Sequence, residues 1–78
     1  GKSKDKKANK EIEKAYDLLH SSPTRSTSTV HQLESQVMNY ISDLEEAVQT
    51  GNVDLTITLA GKIIETMEER NRKLRLAN

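Results

Sequence analysis

The sequence contains no cysteine, no phenylalanine and no tryptophan, and it has only one proline among 78 residues. The absence of cysteine excludes disulfides and thiolate-ligated metal sites. Because two tyrosines are the only aromatic residues, we expect a small core that belongs to one domain. No apolar run approaches the roughly 20 residues of a membrane-spanning helix, and no signal-peptide core is present, so we expect an intracellular setting, cytoplasmic or nuclear.

Acidic and basic residues balance at twelve each, so no overall field favours nucleic acid or an anionic membrane. The charges are nevertheless unevenly placed, because residues 1–10 hold five lysines and one aspartate. We expect residues 1–6 to form a flexible, disordered basic tail. A short lysine run without arginine or aromatic residues binds phosphates weakly and without sequence preference. Binding to nucleic acid or to an acidic membrane is therefore the least favoured function.

The clearest helical pattern extends from Thr29 to Thr50, where apolar residues recur at alternating spacings of three and four. This spacing is typical of a helix packed into a bundle. Ser28 or Thr29 is suited to cap the helix, and Thr29 with Gln32 fits a capping box. Gly51 is suited to end it, because glycine adopts the left-handed conformation without strain. The apolar positions are Val30, Leu33, Val37, Tyr40, Leu44 and Ala47.

A shorter amphipathic helix is predicted over residues 7–20, followed by a flexible linker over residues 21–28. The linker sequence, SSPTRSTS, contains the only proline. Ser22 precedes this proline, as in a proline-directed kinase site, and Arg25 lies three residues before Ser28. Such short patterns are frequent by chance, so the sequence does not decide whether Ser22 or Ser28 is phosphorylated.

The stretch after Gly51 gives two competing signals. Leu55, Ile57 and Leu59 alternate with threonines, which is a strand pattern. Asn52, however, is a favourable helix N-cap, and apolar residues continue beyond it at helical spacing. Because a lone strand would have no partner strand, we predict a third helix over residues 53–74.

The predicted fold is therefore all-α: a three-helix bundle domain formed by residues 7–78, with a short first helix and two longer antiparallel helices that form a hairpin. Gly61 falls in the middle of the third helix, where glycine costs about 1 kcal/mol relative to alanine. It either permits close approach of a neighbouring helix or is simply tolerated.

The third helix carries more apolar side chains than a two-helix hairpin can bury, because Leu55, Leu59 and Ile63 form a second apolar row. Either the first helix covers this row or another molecule does. We therefore name Leu55, Leu59, Ile63 and Met67 as candidate partner-binding residues.

The hairpin sequence AVQTGNVDLTITLAGKI, residues 47–63, has small apolar residues before a polar turn and an acid, a leucine and an isoleucine after it. The matching positions are Ala47, Val48, Asn52, Asp54, Leu59 and Ile63. This arrangement resembles the UVR-type helical hairpin, and the resemblance implies a protein-docking module. Val53 replaces the family's usual aromatic residue, Thr56-Ile57 replaces paired alanines, and Ala60-Gly61 stands where the family has Arg-Asp. The departure at Ala60-Gly61 leaves the partner surface undefined.

No residue pattern indicates catalysis. His20 and His31 are the only histidines, and neither has the second histidine or the cysteine that would complete a metal site. There is no glycine-rich phosphate loop and no nucleophile elbow. We therefore expect a non-enzyme without metal or cofactor.

The leading functional hypothesis is a protein-protein interaction module of a scaffold, adaptor or assembly factor. Such a module receives a helix or short motif of another protein against its helices. The alternative is self-association, in which the second and third helices of two copies pair across a two-fold axis to form a larger bundle.

Overall fold

The structure is a computed structural model that describes residues 4–76. Helix α1 spans Lys6–Ser21, helix α2 spans His31–Gln49 and helix α3 spans Val53–Leu76, with one 3₁₀ turn at Ser28–Val30. The predicted all-α fold with three helices is confirmed.

Helix α3 lies at the centre of the bundle, and α1 and α2 pack along it on separate sides. Among residues 4–76, no Cα atom of α1 comes within 8 Å of a Cα atom of α2. Near one end of the bundle, Ser22 bonds Asn71 and Glu34 pairs with Arg70. Helix α1 therefore runs parallel to α3, and α2 runs antiparallel to both.

Helix α1 begins slightly earlier than the sequence predicted. The Asp5 carboxylate accepts a hydrogen bond of 2.9 Å from the backbone N–H of Ala8, and Lys6 is the first helical residue. This is an N-cap, which stabilises the first turn of a helix. Lys6, predicted to be the last residue of the basic tail, is therefore the first residue of α1. Its residues 1–3 lie outside the described part of the chain.

The start of α2 differs from the predicted capping box. No side-chain hydrogen bond caps the N-terminus of α2, and the Thr29 hydroxyl lies 2.7 Å from the Thr27 hydroxyl. The chain instead enters α2 through the 3₁₀ turn, in which the Val30 N–H donates to the Thr27 carbonyl at 3.1 Å. Val30 is fully buried at this point, so apolar packing positions the entry to α2 and the hydroxyls are directed elsewhere.

The turn between α2 and α3 confirms the predicted roles of Gly51 and Asn52. Gly51 has a φ of +73°. Its N–H donates to the Val48 carbonyl, and the Asn52 N–H donates to the Ala47 carbonyl. These two bonds form a Schellman motif. The Asn52 side chain then accepts from the Leu55 N–H at 3.2 Å and caps α3, so the strand alternative is excluded for this segment.

The core is one apolar cluster to which all three helices contribute. Leu44 and Ile63 are its largest fully buried members. A Cβ added at Gly61 would meet no atom within 4 Å. No neighbouring helix therefore requires a glycine at this position, and Gly61 is simply tolerated there. The cluster comprises Ile12, Ala15, Val37, Leu44, Ala47, Leu59, Ala60, Ile63 and Met67.

Candidate functional site

The four residues predicted to bind a partner do not form one exposed row. Leu55 is 43% exposed, whereas Leu59, Ile63 and Met67 are buried. The reason is that α1 and α2 both pack on α3, so the second apolar row becomes core of the same chain. Of the two alternatives for the second apolar row, the chain's own helices cover Leu59 and Ile63, and Leu55 is its exposed member.

Arg70 is the charged residue at the centre of the structure's polar network. It is only 5% exposed. Its Nε donates to the Glu34 carboxylate at 3.0 Å, and its two terminal nitrogens donate at 2.8 Å to the carbonyls of Pro23 and Arg25. A buried guanidinium is tolerated only when its charge and its N–H groups are satisfied. Arg70 of α3 therefore binds both α2, through Glu34, and the linker, through two carbonyls.

Hydrogen bonds hold the linker against α3 at several positions. The Arg25 guanidinium donates to the Leu74 carbonyl at 2.8 Å, and the Asn71 amide donates to the Ser22 hydroxyl at 2.8 Å. The Ser22 hydroxyl in turn donates to the Leu18 carbonyl at 2.6 Å. These bonds hold the segment between α1 and α2 across the C-terminal part of α3.

The Glu34 carboxylate has its pKa lowered below the ordinary value of 4.5. The largest cause is the hydrogen bond from the Ser26 hydroxyl, which lies 2.7 Å from Oε1, and the Arg70 guanidinium and the nearby His31 add to it. Each of these groups favours the charged carboxylate. Glu34 is therefore held as an anion by both the linker and α3.

A groove opens between α1 and α2 at the end of the bundle where the linker lies, and we call it the linker groove. It encloses about 320 Å³. Its apolar side chains come from all three helices, and the Glu34–Arg70 pair forms part of its wall. The apolar members are Leu19 of α1, Val37, Met38 and Ile41 of α2, and Met67 of α3.

Towards the other end of the bundle, the side chains of α1 and α2 close this space. Tyr16, Leu44, Glu45 and Val48 line a cavity of only about 10 Å³. Burial raises the pKa of the Tyr16 hydroxyl, and the nearby Glu45 carboxylate raises it further. The space between α1 and α2 is thus much larger near the linker than beside Tyr16 and Glu45.

The chemical character of the linker groove is apolar. Glu34 and Arg70 neutralise each other across 2.9 Å, so no unpaired charge lines it. Met38 is 66% exposed at its edge. Methionine is flexible and polarisable and adapts to varied apolar surfaces. The groove can accept an apolar side chain or a short row of them.

A second depression lies between α2 and α3 next to their connecting turn, and we call it the hairpin groove. It encloses about 260 Å³, with Leu55, Leu59 and Ala47 as its apolar side chains. Asp43 and Glu46 line it from α2. The predicted residues Leu55 and Leu59 therefore share a surface with two carboxylates, while Met67 belongs to the linker groove.

Sequence reasoning missed Arg70 and Met38. The buried side of α3 follows the spacing of Thr56, Ala60, Ile63, Met67, Arg70 and Leu74. A charge on such an apolar row is a signal of a buried pair. The pattern does not identify the carboxylate partner of Arg70, because Glu34 lies 36 positions away in the sequence.

Within residues 4–76, no three histidine, cysteine or acidic residues are grouped as a metal site would require. Over the same part of the chain, no helix is both long and apolar enough to cross a membrane. No protein-family model matches the sequence, and neither the curated proteins nor the solved structures include a match to this chain.

Proposed function

We propose that this chain is a protein-protein interaction module of a scaffold, adaptor or assembly factor, and that its linker groove receives an amphipathic helix of a partner protein. The observation that supports this most directly is the groove itself, lined by apolar side chains from three helices. Helix-in-groove recognition uses this geometry, with anchors at helical spacing on the incoming partner.

The partner's inserted face is apolar, because the charges in the wall are already paired. Glu34 and Arg70 satisfy each other at 2.9 Å, so a charged group inserted beside them would lose its hydration and gain no free counter-charge. One leucine-sized anchor buried in the groove contributes roughly 1.5–3 kcal/mol.

The flanking face of the partner helix is basic. The sequence has no lysine or arginine between Val30 and Asn52, and the α2 carboxylates other than Glu34 form no ion pair within residues 4–76. Glu45, four residues after Ile41 on α2, lines the small separate cavity between α1 and α2. Opposite charges across the rim of an interface speed association and fix orientation.

Selection from a displayed library of amphipathic helices, followed by calorimetric titration, tests this function. We expect the selected helices to carry apolar anchors with lysine or arginine beside them. Met38→Lys should weaken their binding about tenfold or more, a difference of about 1.4 kcal/mol, whereas Met38→Leu should preserve it.

Leu55→Lys is the matched control, because it introduces the same charge at an exposed apolar residue of the other groove. Helices that bind Met38→Lys as tightly as the wild type would contradict the proposal. So would a library that yields no binder.

The resemblance to the UVR-type hairpin implies the same general role. It concerns residues 47–63, which lie mainly at the hairpin groove, so it stays a prediction about that segment and does not support the linker groove.

A further inference from the structure

One side of α3 carries a row of exposed and half-buried residues at the spacing of a helix–helix interface. Its members recur at intervals of three, four and seven, which places them on one side of a helix. Leu55 and Leu76 are 43% and 77% exposed. We call this the outer row. It consists of Leu55, Lys62, Thr66, Glu69, Lys73 and Leu76.

The charged residues of the outer row are not used inside the chain. Ion pairs within residues 4–76 join Lys14 to Glu11 and Arg70 to Glu34. Lys62, Glu69 and Lys73 therefore have no intramolecular ion-pair partner in this part of the chain. Their positive and negative charges remain available to another molecule.

The order of these residues is self-complementary. Lys62 and Glu69 are seven positions apart, Leu55 and Leu76 are 21 apart, and both pairs are centred between Glu65 and Thr66. At 1.5 Å per residue, their separations along the axis are about 10 Å and about 32 Å. A two-fold axis at this common centre places Lys62 opposite Glu69 of a second copy, and Leu55 opposite its Leu76, in one arrangement.

The α2 carboxylates extend the complementarity. In the same arrangement, Lys73 of the second copy lies level with Thr58, between Leu55 and Leu59. These two leucines line the hairpin groove together with Asp43 and Glu46. A lysine from the second copy thus meets two carboxylates, and the two-fold axis repeats the contact on the other side.

We propose that this surface binds a second copy of the same chain, as an antiparallel α3–α3 homodimer about an axis near Thr66. Such an interface is isologous, because each contact occurs twice with the two copies exchanged. The dimer uses a different surface from the linker groove, so it is independent of helix docking there.

Charge reversal with rescue tests the dimer. Sedimentation equilibrium of the wild type should show a mass rising from 8.8 kDa towards twice that value with concentration, and the association should weaken as salt rises. Either Lys62→Glu or Glu69→Lys alone places like charges opposite each other, and the two-fold axis repeats this repulsion at a second place. Each single variant should therefore weaken dimerisation about tenfold or more. The double variant restores both pairs and should recover it.

Several results would overturn the proposal. A wild type that stays monomeric at every concentration excludes the dimer. If the single variants dimerise as the wild type does, the contact lies elsewhere. The same follows if the double variant dimerises as weakly as the single variants. Met38→Lys in the linker groove should leave dimerisation intact. A Met38→Lys variant that no longer dimerises would also refute the α3 interface. Circular dichroism of each variant confirms that the fold is retained.

Discussion

Arg70 and Glu34 are 36 positions apart in the sequence, and they form a part-buried ion pair with 2.9 Å between Nη2 and Oε2. The pair fixes α2 to α3 at the point where the linker crosses. Because Arg70 also donates to two linker carbonyls, one side chain holds three segments together. It also forms part of the wall of the linker groove, so the stability of the fold and the shape of the groove depend on the same residue.

Replacing Arg70 should destabilise the fold strongly. Arg70→Ala leaves the Glu34 carboxylate without its cation and the Pro23 and Arg25 carbonyls without their donor. Removing one partner of a fully buried pair costs about 3–5 kcal/mol, which is the upper limit here because the Glu34 side chain is 28% exposed. Arg72→Ala, at an exposed position of the same helix, should change the free energy of unfolding by less than about 0.5 kcal/mol. Urea denaturation followed by circular dichroism measures both. Equal effects of the two substitutions would show that Arg70 does not anchor the linker.

The lowered pKa of Glu34 should make stability depend on acid pH. Because the folded-state pKa lies below the ordinary value of 4.5, the unfolded chain binds the proton more readily. The stabilisation is therefore complete above pH 4.5 and is lost as pH falls through the folded-state pKa. Glu34→Gln should flatten this part of the curve of unfolding free energy against pH, and Ser26→Ala should reduce its slope. Glu13→Gln, on the exposed face of α1, is the control, and a curve unchanged by Glu34→Gln would contradict the assignment.

The two described glycines should respond to alanine in opposite directions. Gly51 has a φ of +73°, and alanine in the left-handed region is strained by about 1–2 kcal/mol, so Gly51→Ala should destabilise the chain. Gly61 is helical with no neighbour within 4 Å of an added Cβ, so Gly61→Ala should stabilise it by up to about 1 kcal/mol. Thermal unfolding of the two variants gives the comparison. A destabilising Gly61→Ala would mean that a neighbouring helix approaches this position after all.

The same substitution at two leucines should separate core from surface. Leu44 is 1% exposed and Leu55 is 43% exposed. Leu44→Ala should cost about 2–5 kcal/mol, because it removes buried methyl groups and leaves a cavity. Leu55→Ala should cost less than about 1 kcal/mol at dilutions where the chain is monomeric. Similar losses for both would show that Leu55 belongs to the core.

The sequence was sufficient to predict the helices, because each depends on local signals. The apolar spacing predicts α2, and Gly51 and Asn52 predict the turn that follows it. Each of these signals acts on residues only a few positions away in the sequence. The predicted capping box was wrong because Val30 is buried in the bundle, and that packing outweighs the preference of the Thr29 hydroxyl for a capping position.

The candidate site could not be predicted in the same way, because it is a tertiary feature. The linker groove depends on the separation between α1 and α2 and on where the linker lies. Met38 becomes important only because α1 leaves that side of α2 uncovered. Of the four predicted partner-binding residues, Met67 lines the linker groove, Leu55 and Leu59 line the hairpin groove, and Ile63 is fully buried in the core.

The most direct measurement of helix docking in the linker groove is a methyl NMR spectrum of the chain labelled at methionine. The sequence has two methionines, and both line this groove, Met38 at its edge and Met67 within it. On addition of the tightest selected amphipathic helix, we expect both methyl signals to shift and to saturate at one helix per chain. If the helix binds while both signals stay unchanged, it docks elsewhere, and the linker groove is not the binding site.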